Sequence, residues 1–153
     1  MSEGDAMVPG GPGAAWRPAP ALPRILFVCV ENSNRSQMAE AFARMHGAGR
    51  VEAYSAGSRP SGTINPRAIA AMRERGYDLT SHRSSGLDQV PPGPYAAVVT
   101  MGCGDACPWI PAARREDWAL PDPRDMEPAE FNAVADEIER RVGELLARVS
   151  DTR

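Results

Sequence analysis

The chain contains no lysine, and all 17 of its basic residues are arginine. Each guanidinium is therefore weighed by its position along the chain. Against 20 carboxylates the arginines leave a formal net charge of -3, which provides no basic stripe for a nucleic-acid backbone, so no nucleic-acid partner is expected. No apolar run approaches the ~20 residues of a membrane-spanning helix, and no membrane partner is expected. Cysteine is scarce and odd in number, with three in 153 residues, which argues against a disulfide framework. No charged segment followed by an apolar one opens the chain in the manner of a signal peptide, so a reducing, cytoplasmic setting is expected.

What is present suits one globular domain. An apolar fraction of 42% and a charged fraction of 24% are ordinary for a soluble protein, and 153 residues can build one full core but not two. Residues 1–22 are rich in Gly, Pro and Ala and poor in aliphatic residues, so they are expected to form a disordered tail. A single domain is expected over 23–153.

Within that domain, the apolar run Arg24 to Val28 reads as a strand buried on both faces. Met38, Phe42 and Met45 follow at helical spacing, with Gly47 at the expected stop. A second strand is expected from Val51 to Ala56, ending in Gly57. Asn65 then caps a helix starting at Pro66, whose apolar side uses Ala68, Ile69 and Met72 and which ends at Gly76. A third strand is expected from Tyr95 to Met101 and a short fourth around Asp117 to Leu120. Phe131, Val134, Ile138, Val142, Leu145 and Val149 mark a long C-terminal helix. This alternation predicts an α/β three-layer sandwich with a four-stranded parallel sheet and helices on both faces, its ligand site lying beyond the carboxyl ends of the strands.

The segment Cys29-Val30-Glu31-Asn32-Ser33-Asn34-Arg35-Ser36 joins the first strand to the first helix. Its peptide N–H groups, from Val30 through Arg35, can converge on a tetrahedral anion, with the helix N-terminus behind them. The same field favours a thiolate at Cys29, and Arg35 can grip two oxygens of the bound anion. Ser36 can donate to the sulfur, or can bond its own helix backbone instead. Cys29 is thus the candidate nucleophile, although a buried cysteine at a strand end is also a common packing residue.

Two further features bear on chemistry. Cys103 and Cys107 lie four residues apart in a glycine-containing segment, and on one helical turn their Cα atoms would be about 6 Å apart, within disulfide range. They can pair with each other, or extend a relay from Cys29, or be inert thiols. A zinc site is the weakest alternative, because no histidine stands nearby. Asp122 is flanked by Pro121 and Pro123, which hold its carboxyl group in a defined direction; it is either a general acid facing the nucleophile or a turn residue.

Taken together, Ile25 to Cys29, Arg35 through Ala41, Ser55-Ala56-Gly57, Asn65-Pro66, Cys103 with Cys107, and Asp117-Trp118 leading to Asp122-Pro123 resemble the thioredoxin-coupled arsenate reductases. That family shares its fold with the low-molecular-weight protein tyrosine phosphatases, and the resemblance spans roughly residues 24 to 148. It implies that Cys29 attacks arsenate held by the loop amides and Arg35, and that Asp122 protonates the departing hydroxyl. Cys103 would then attack Cys29 and expel arsenite, and Cys107 would attack Cys103, leaving a disulfide for thioredoxin to reduce. Phosphate and sulfate would act as substrate analogues, and no tightly bound cofactor is implied.

The sequence departs from the family pattern at identifiable places. Glu31 stands where glycine is usual, so either the loop avoids positive φ there or Glu31 is strained, and its charge must point away from the anion. Asn32, Glu40 and Ser55 match positions that bind potassium in some members, but Ser85 stands where a carboxylate would complete that site, which weakens the case for the ion. Arg124, Asp125 and Met126 follow the Asp-Pro pair where phosphotyrosine phosphatases of this fold carry aromatics. Hydrolysis of phosphotyrosine, electron supply by mycothiol or bacillithiol, and a non-enzymatic arsenite or redox sensor are the alternatives.

Overall fold

The computed structural model describes residues 22–102 and 109–151. Cys103, Cys107 and the N-terminal tail up to residue 21 lie outside the described residues. The elements run β1 (Arg24–Cys29), α1 (Arg35–His46), β2 (Glu52–Gly57), α2 (Pro66–Glu74), β3 (Tyr95–Thr100), β4 (Ala112–Asp117) and α3 (Pro128–Asp151), with single 3-10 turns at Leu79–Ser81 and Leu87–Gln89.

The four strands form one parallel sheet in the order β2-β1-β3-β4. β1 is central, and Ile25 through Cys29 are all buried, as a strand covered on both faces requires. Ile25, Phe27, Cys29, Ala97 and Val99 join the core beneath α1, α2 and α3. Leu26, Val28 and Val98 belong to the opposite cluster, closed by Leu87 and Val90 of and beside the second 3-10 turn. The three α-helices thus pack on one face of the expected parallel sheet, and the second 3-10 turn with its flanking segment closes the other. The register sets Cys29 opposite Gly57 and Val28 opposite Thr100, which in turn faces Asp117. All four carboxyl ends therefore reach one edge of the molecule.

The helices form where sequence periodicity places them. Asn65 Oδ1 accepts the Arg67 N–H at 2.8 Å and Pro66 is the first helical residue of α2, while Gly76 takes the positive φ that ends the turn beyond it. Ala71 replaces Ile69 on the fully buried side of α2. In α3 the six residues picked out by spacing are all buried, a continuous apolar stripe against the sheet layer. α1 begins at Arg35, and Ser36 to Ala43 are all buried.

The fourth strand differs from expectation. It occupies Ala112–Asp117 instead of Asp117 to Leu120, and pairs with β3 from Tyr95↔Ala112 to Thr100↔Asp117. Its burial merely alternates between intermediate and exposed, because an edge strand needs little apolar sequence and tolerates charge. The apolar anchors follow it. Trp118 is buried against Phe27 with ring centroids 5.9 Å apart and donates its indole N–H to Glu116.

Candidate active site

The segment from Val30 to Asn34 crosses from the end of β1 to the start of α1, and its carbonyl groups are drawn outward. The N–H groups of Ser58, Arg59, Ser61 and Asn65 bond the carbonyls of Cys29, Val30, Glu31 and Ser33 at 2.8–3.2 Å. Gln37 takes the carbonyl of Asn32. In a trans peptide the C=O and the following N–H point in opposite directions, so each outward carbonyl turns the next N–H inward. The amides of Val30, Glu31, Asn32, Ser33 and Asn34 consequently face the concave side, a concentration of donors suited to an anion. Gly57 permits the close approach, since a Cβ there would lie 2.5 Å from the Val30 carbonyl.

Cys29 lies at the base of this cradle and is buried. The Asn32 N–H is directed at its sulfur at 3.2 Å, and Ser36 Oγ lies 2.8 Å from it. Ser36 already accepts an amide hydrogen from Asn32 Nδ2 at 2.8 Å, which leaves its own hydrogen for the sulfur. These two donors match a thiolate acceptor.

Asn32 organises the layer underneath. Its second amide hydrogen goes to Ser55 Oγ, and its Oδ1 accepts from Gln37 Nε2 and from the Ser85 N–H, so every hydrogen-bonding position of the amide is filled. Asn32 also has φ +52°, a conformation asparagine adopts more readily than most residues. Of the two alternatives at Glu31 the first holds: the loop avoids positive φ there and takes it at Asn32. Ser55 in turn donates to Glu40 Oε1 at 2.6 Å, while Glu40 Oε2 pairs with Arg44. Asn32, Glu40 and Ser55, the three candidate potassium ligands, are thus bonded in series, and Ser85 joins through its backbone. Among the described residues no group of three or more His, Cys, Asp or Glu side chains forms a metal site.

The network ends in a histidine that sequence spacing did not reveal. Gln37 Nε2 bonds only oxygens, so its Oε1 accepts from His82 Nδ1 at 2.9 Å. The other ring nitrogen is left to accept from the Tyr77 hydroxyl at 2.6 Å. This fixes one neutral tautomer. Burial pushes the His82 pKa down, a shift that nearby Glu40 partly opposes and Arg44 reinforces.

The cleft above Cys29 has a volume of about 190 Å³ and is lined by Cys29, Val30, Glu31, Ser33, Asn34, Arg35, Asp122 and Arg124. Asn32 sits below it, wholly buried. Arg35 Nη1 donates to the Leu120 carbonyl at 2.8 Å, while its Nε is buried without a partner among the described residues. An anion in the cleft would supply one. Gly102 makes this placement of Arg35 feasible: its φ is +83°, and a Cβ there would lie 2.9 Å from Arg35 Nη1. Asp122, from the segment after β4, reaches the same cleft as Cys29 and accepts the Arg124 backbone N–H. Glu31 points to Arg124 at 3.3 Å, so its charge is engaged at the rim. Among the described residues no tyrosine or other aromatic side chain lines this cleft.

The chain that carries this site is similar to proteins of known description. A protein named glutaredoxin arsenate reductase from Synechocystis sp. (strain ATCC 27184 / PCC 6803 / Kazusa) is 36% identical over 132 residues, 84% of this chain and 100% of that protein. A solved structure described as an arsenate reductase in the phosphate binding state aligns with a TM-score of 0.77 at 36% identity, covering 84% of this chain and 99% of the other. The thioredoxin-dependent arsenate reductase of Corynebacterium glutamicum aligns with a TM-score of 0.71 at 31% identity over 86% of this chain and 64% of its own. The family model described as low molecular weight phosphotyrosine protein phosphatase matches residues 24–153. From its first strand onward, the chain belongs to the low molecular weight phosphotyrosine protein phosphatase family.

Proposed function

We propose that the protein is an arsenate reductase that uses Cys29 as nucleophile and passes the resulting oxidation through Cys103 and Cys107 to a dithiol reductant. The observation that carries the oxyanion chemistry is the orientation of the loop peptides, whose carbonyls are bound from outside by Ser58, Arg59, Ser61 and Asn65. Reduction, as against hydrolysis, is favoured by the two additional cysteines in the sequence and by relatives named arsenate reductase.

The steps follow from the chemistry. Cys29 thiolate attacks arsenic(V) and forms an S–As bond, while a hydroxyl leaves as water with a proton from Asp122. The Cys103 thiolate then attacks Cys29 sulfur; the S–As electron pair stays on arsenic, which departs as arsenite, and a Cys29–Cys103 disulfide forms. Cys107 attacks Cys103 sulfur, releasing Cys29 and leaving a Cys103–Cys107 disulfide. Two electrons from an external dithiol close the cycle. The name of the Corynebacterium relative favours thioredoxin as donor, and that of the Synechocystis relative favours glutaredoxin.

Arsenate turnover is expected with purified protein and a thioredoxin or glutaredoxin system. Replacing Cys29 by serine should abolish it, and Cys107→Ser should allow only a single turnover. Asp122→Asn should slow it by about 10²- to 10⁴-fold, the ordinary contribution of a positioned acid. Rapid hydrolysis of aryl phosphates with no arsenate reduction under either system would overturn the proposal in favour of a phosphatase.

A further inference from the structure

Two carboxylates flank the mouth of the Cys29 cleft, and one guanidinium joins them. Arg124 Nη2 lies 3.3 Å from Glu31 Oε2 and 3.2 Å from Asp122 Oδ2. A side chain from the segment after β4 thereby ties down the loop after β1, and Asp122 is fixed a second time because its Oδ1 accepts the Arg124 backbone N–H at 3.0 Å. Exposed ion pairs contribute little to folding, so stability gives no reason for this arrangement at a catalytic mouth. All three residues line the cavity that also contains Cys29 and Arg35.

The electrostatics of entry supply a reason. An incoming oxyanion is negative, and without Arg124 it would meet Glu31 and Asp122 side by side. Arg35 has committed Nη1 to the Leu120 carbonyl and keeps Nε for an anion, and Arg124 is the other guanidinium that lines the cleft. Arg124 is about half-exposed, with a side chain long enough to turn between partners at the mouth. Its fork can exchange a carboxylate for an oxyanion edge, since the two present the same paired-oxygen geometry.

We propose that Arg124 is a second oxyanion-binding guanidinium of this site, and that Glu31 is the carboxylate that tethers it at the mouth and yields it to the entering anion. The inference rests on the oxyanion chemistry of the proposed function and extends it to the rim. Because the Glu31 pair must be given up, it works against binding, in the manner of any equilibrium that favours the unliganded arrangement. Removing Glu31 should therefore tighten anion binding, whereas removing Arg124 should weaken it.

The experiment measures affinity for inorganic phosphate as the protection it gives Cys29 against iodoacetamide, followed by mass spectrometry of the Cys29 peptide in the full chain. Arg124→Gln is expected to weaken phosphate binding by about three- to tenfold, with Arg124→Lys recovering part of the loss. Glu31→Gln is expected to tighten it by roughly two- to threefold, and both effects should shrink as salt rises towards 1 M. Thermal midpoints of the variants should match the parent, and Arg124→Lys remains informative should the glutamine variant fold poorly. Phosphate binding within twofold of the parent in Arg124→Gln, or weaker binding in Glu31→Gln, would overturn the proposal and leave a surface ion pair. Phosphate binding involves no electron transfer, so this outcome is separate from whether arsenate is reduced.

Discussion

Asn32 carries more of the site than its small side chain suggests, because its amide satisfies Ser36, Ser55, Gln37 and the Ser85 N–H at once. Truncating it leaves those buried groups short of partners and puts an alanine at φ +52°. Asn32→Ala is expected to cost about 2–4 kcal/mol of stability in urea unfolding, and to slow alkylation of Cys29 because Ser36 loses the donor that orients it. Unchanged alkylation in a folded variant would separate Ser36 from Asn32. At this scale local spacing and flanking prolines mark Cys29, Arg35, Ser36 and Asp122 in the sequence, and the structure gathers Cys29, Arg35 and Asp122 around one cleft with Ser36 beside the sulfur. It does not reveal Gly102 beneath Arg35, His82 behind Gln37, or the Arg124 bridge. Those depend on how segments far apart in the chain approach one another.

Among the elements, legibility follows burial. β1 and α3 are read correctly because continuous or periodic apolar sequence is what a covered strand or a docked helix requires. β4 is displaced by about five residues from its expected place because its own residues, Ala112 to Asp117, are largely charged and at an edge, while the apolar signal belongs to Trp118 and Leu120 beyond it. α1 starts at Arg35, with Asn34 in the capping position and no side-chain cap bond. α3 should be costly to disturb. Ile138 is fully buried, and Ile138→Ala is expected to lower unfolding free energy by about 2–5 kcal/mol in a denaturant titration. A loss under 1 kcal/mol would mean that α3 is not part of the cooperative core.

For the molecule as a whole, the parallel topology determines where chemistry happens, because it brings four strand ends to one edge. It also places a titrating group in the support layer. The largely covered His82 ring has hydrogen bonds that fit the neutral tautomer, and its pKa lies below the ordinary histidine value. The unfolded chain binds that proton more readily, so the contribution to stability is complete above about pH 6.5 and is lost as pH falls below it. The urea midpoint should drop between pH 7.5 and 5.5, and the drop should shrink in His82→Gln. An equal drop in both proteins would assign the acid sensitivity to other groups.

The outward-turned carbonyls have a consequence for how such a chain can change over generations. The cradle is built of main-chain atoms held by other main-chain atoms, at Ser58, Arg59, Ser61 and Asn65. Replacing Val30, Glu31, Ser33 or Asn34 by any residue other than proline alters what the rim presents and removes no donor from the cradle. Inheritance can therefore rewrite the rim around an unchanged ring of amides, so long as Asn32 keeps the turn.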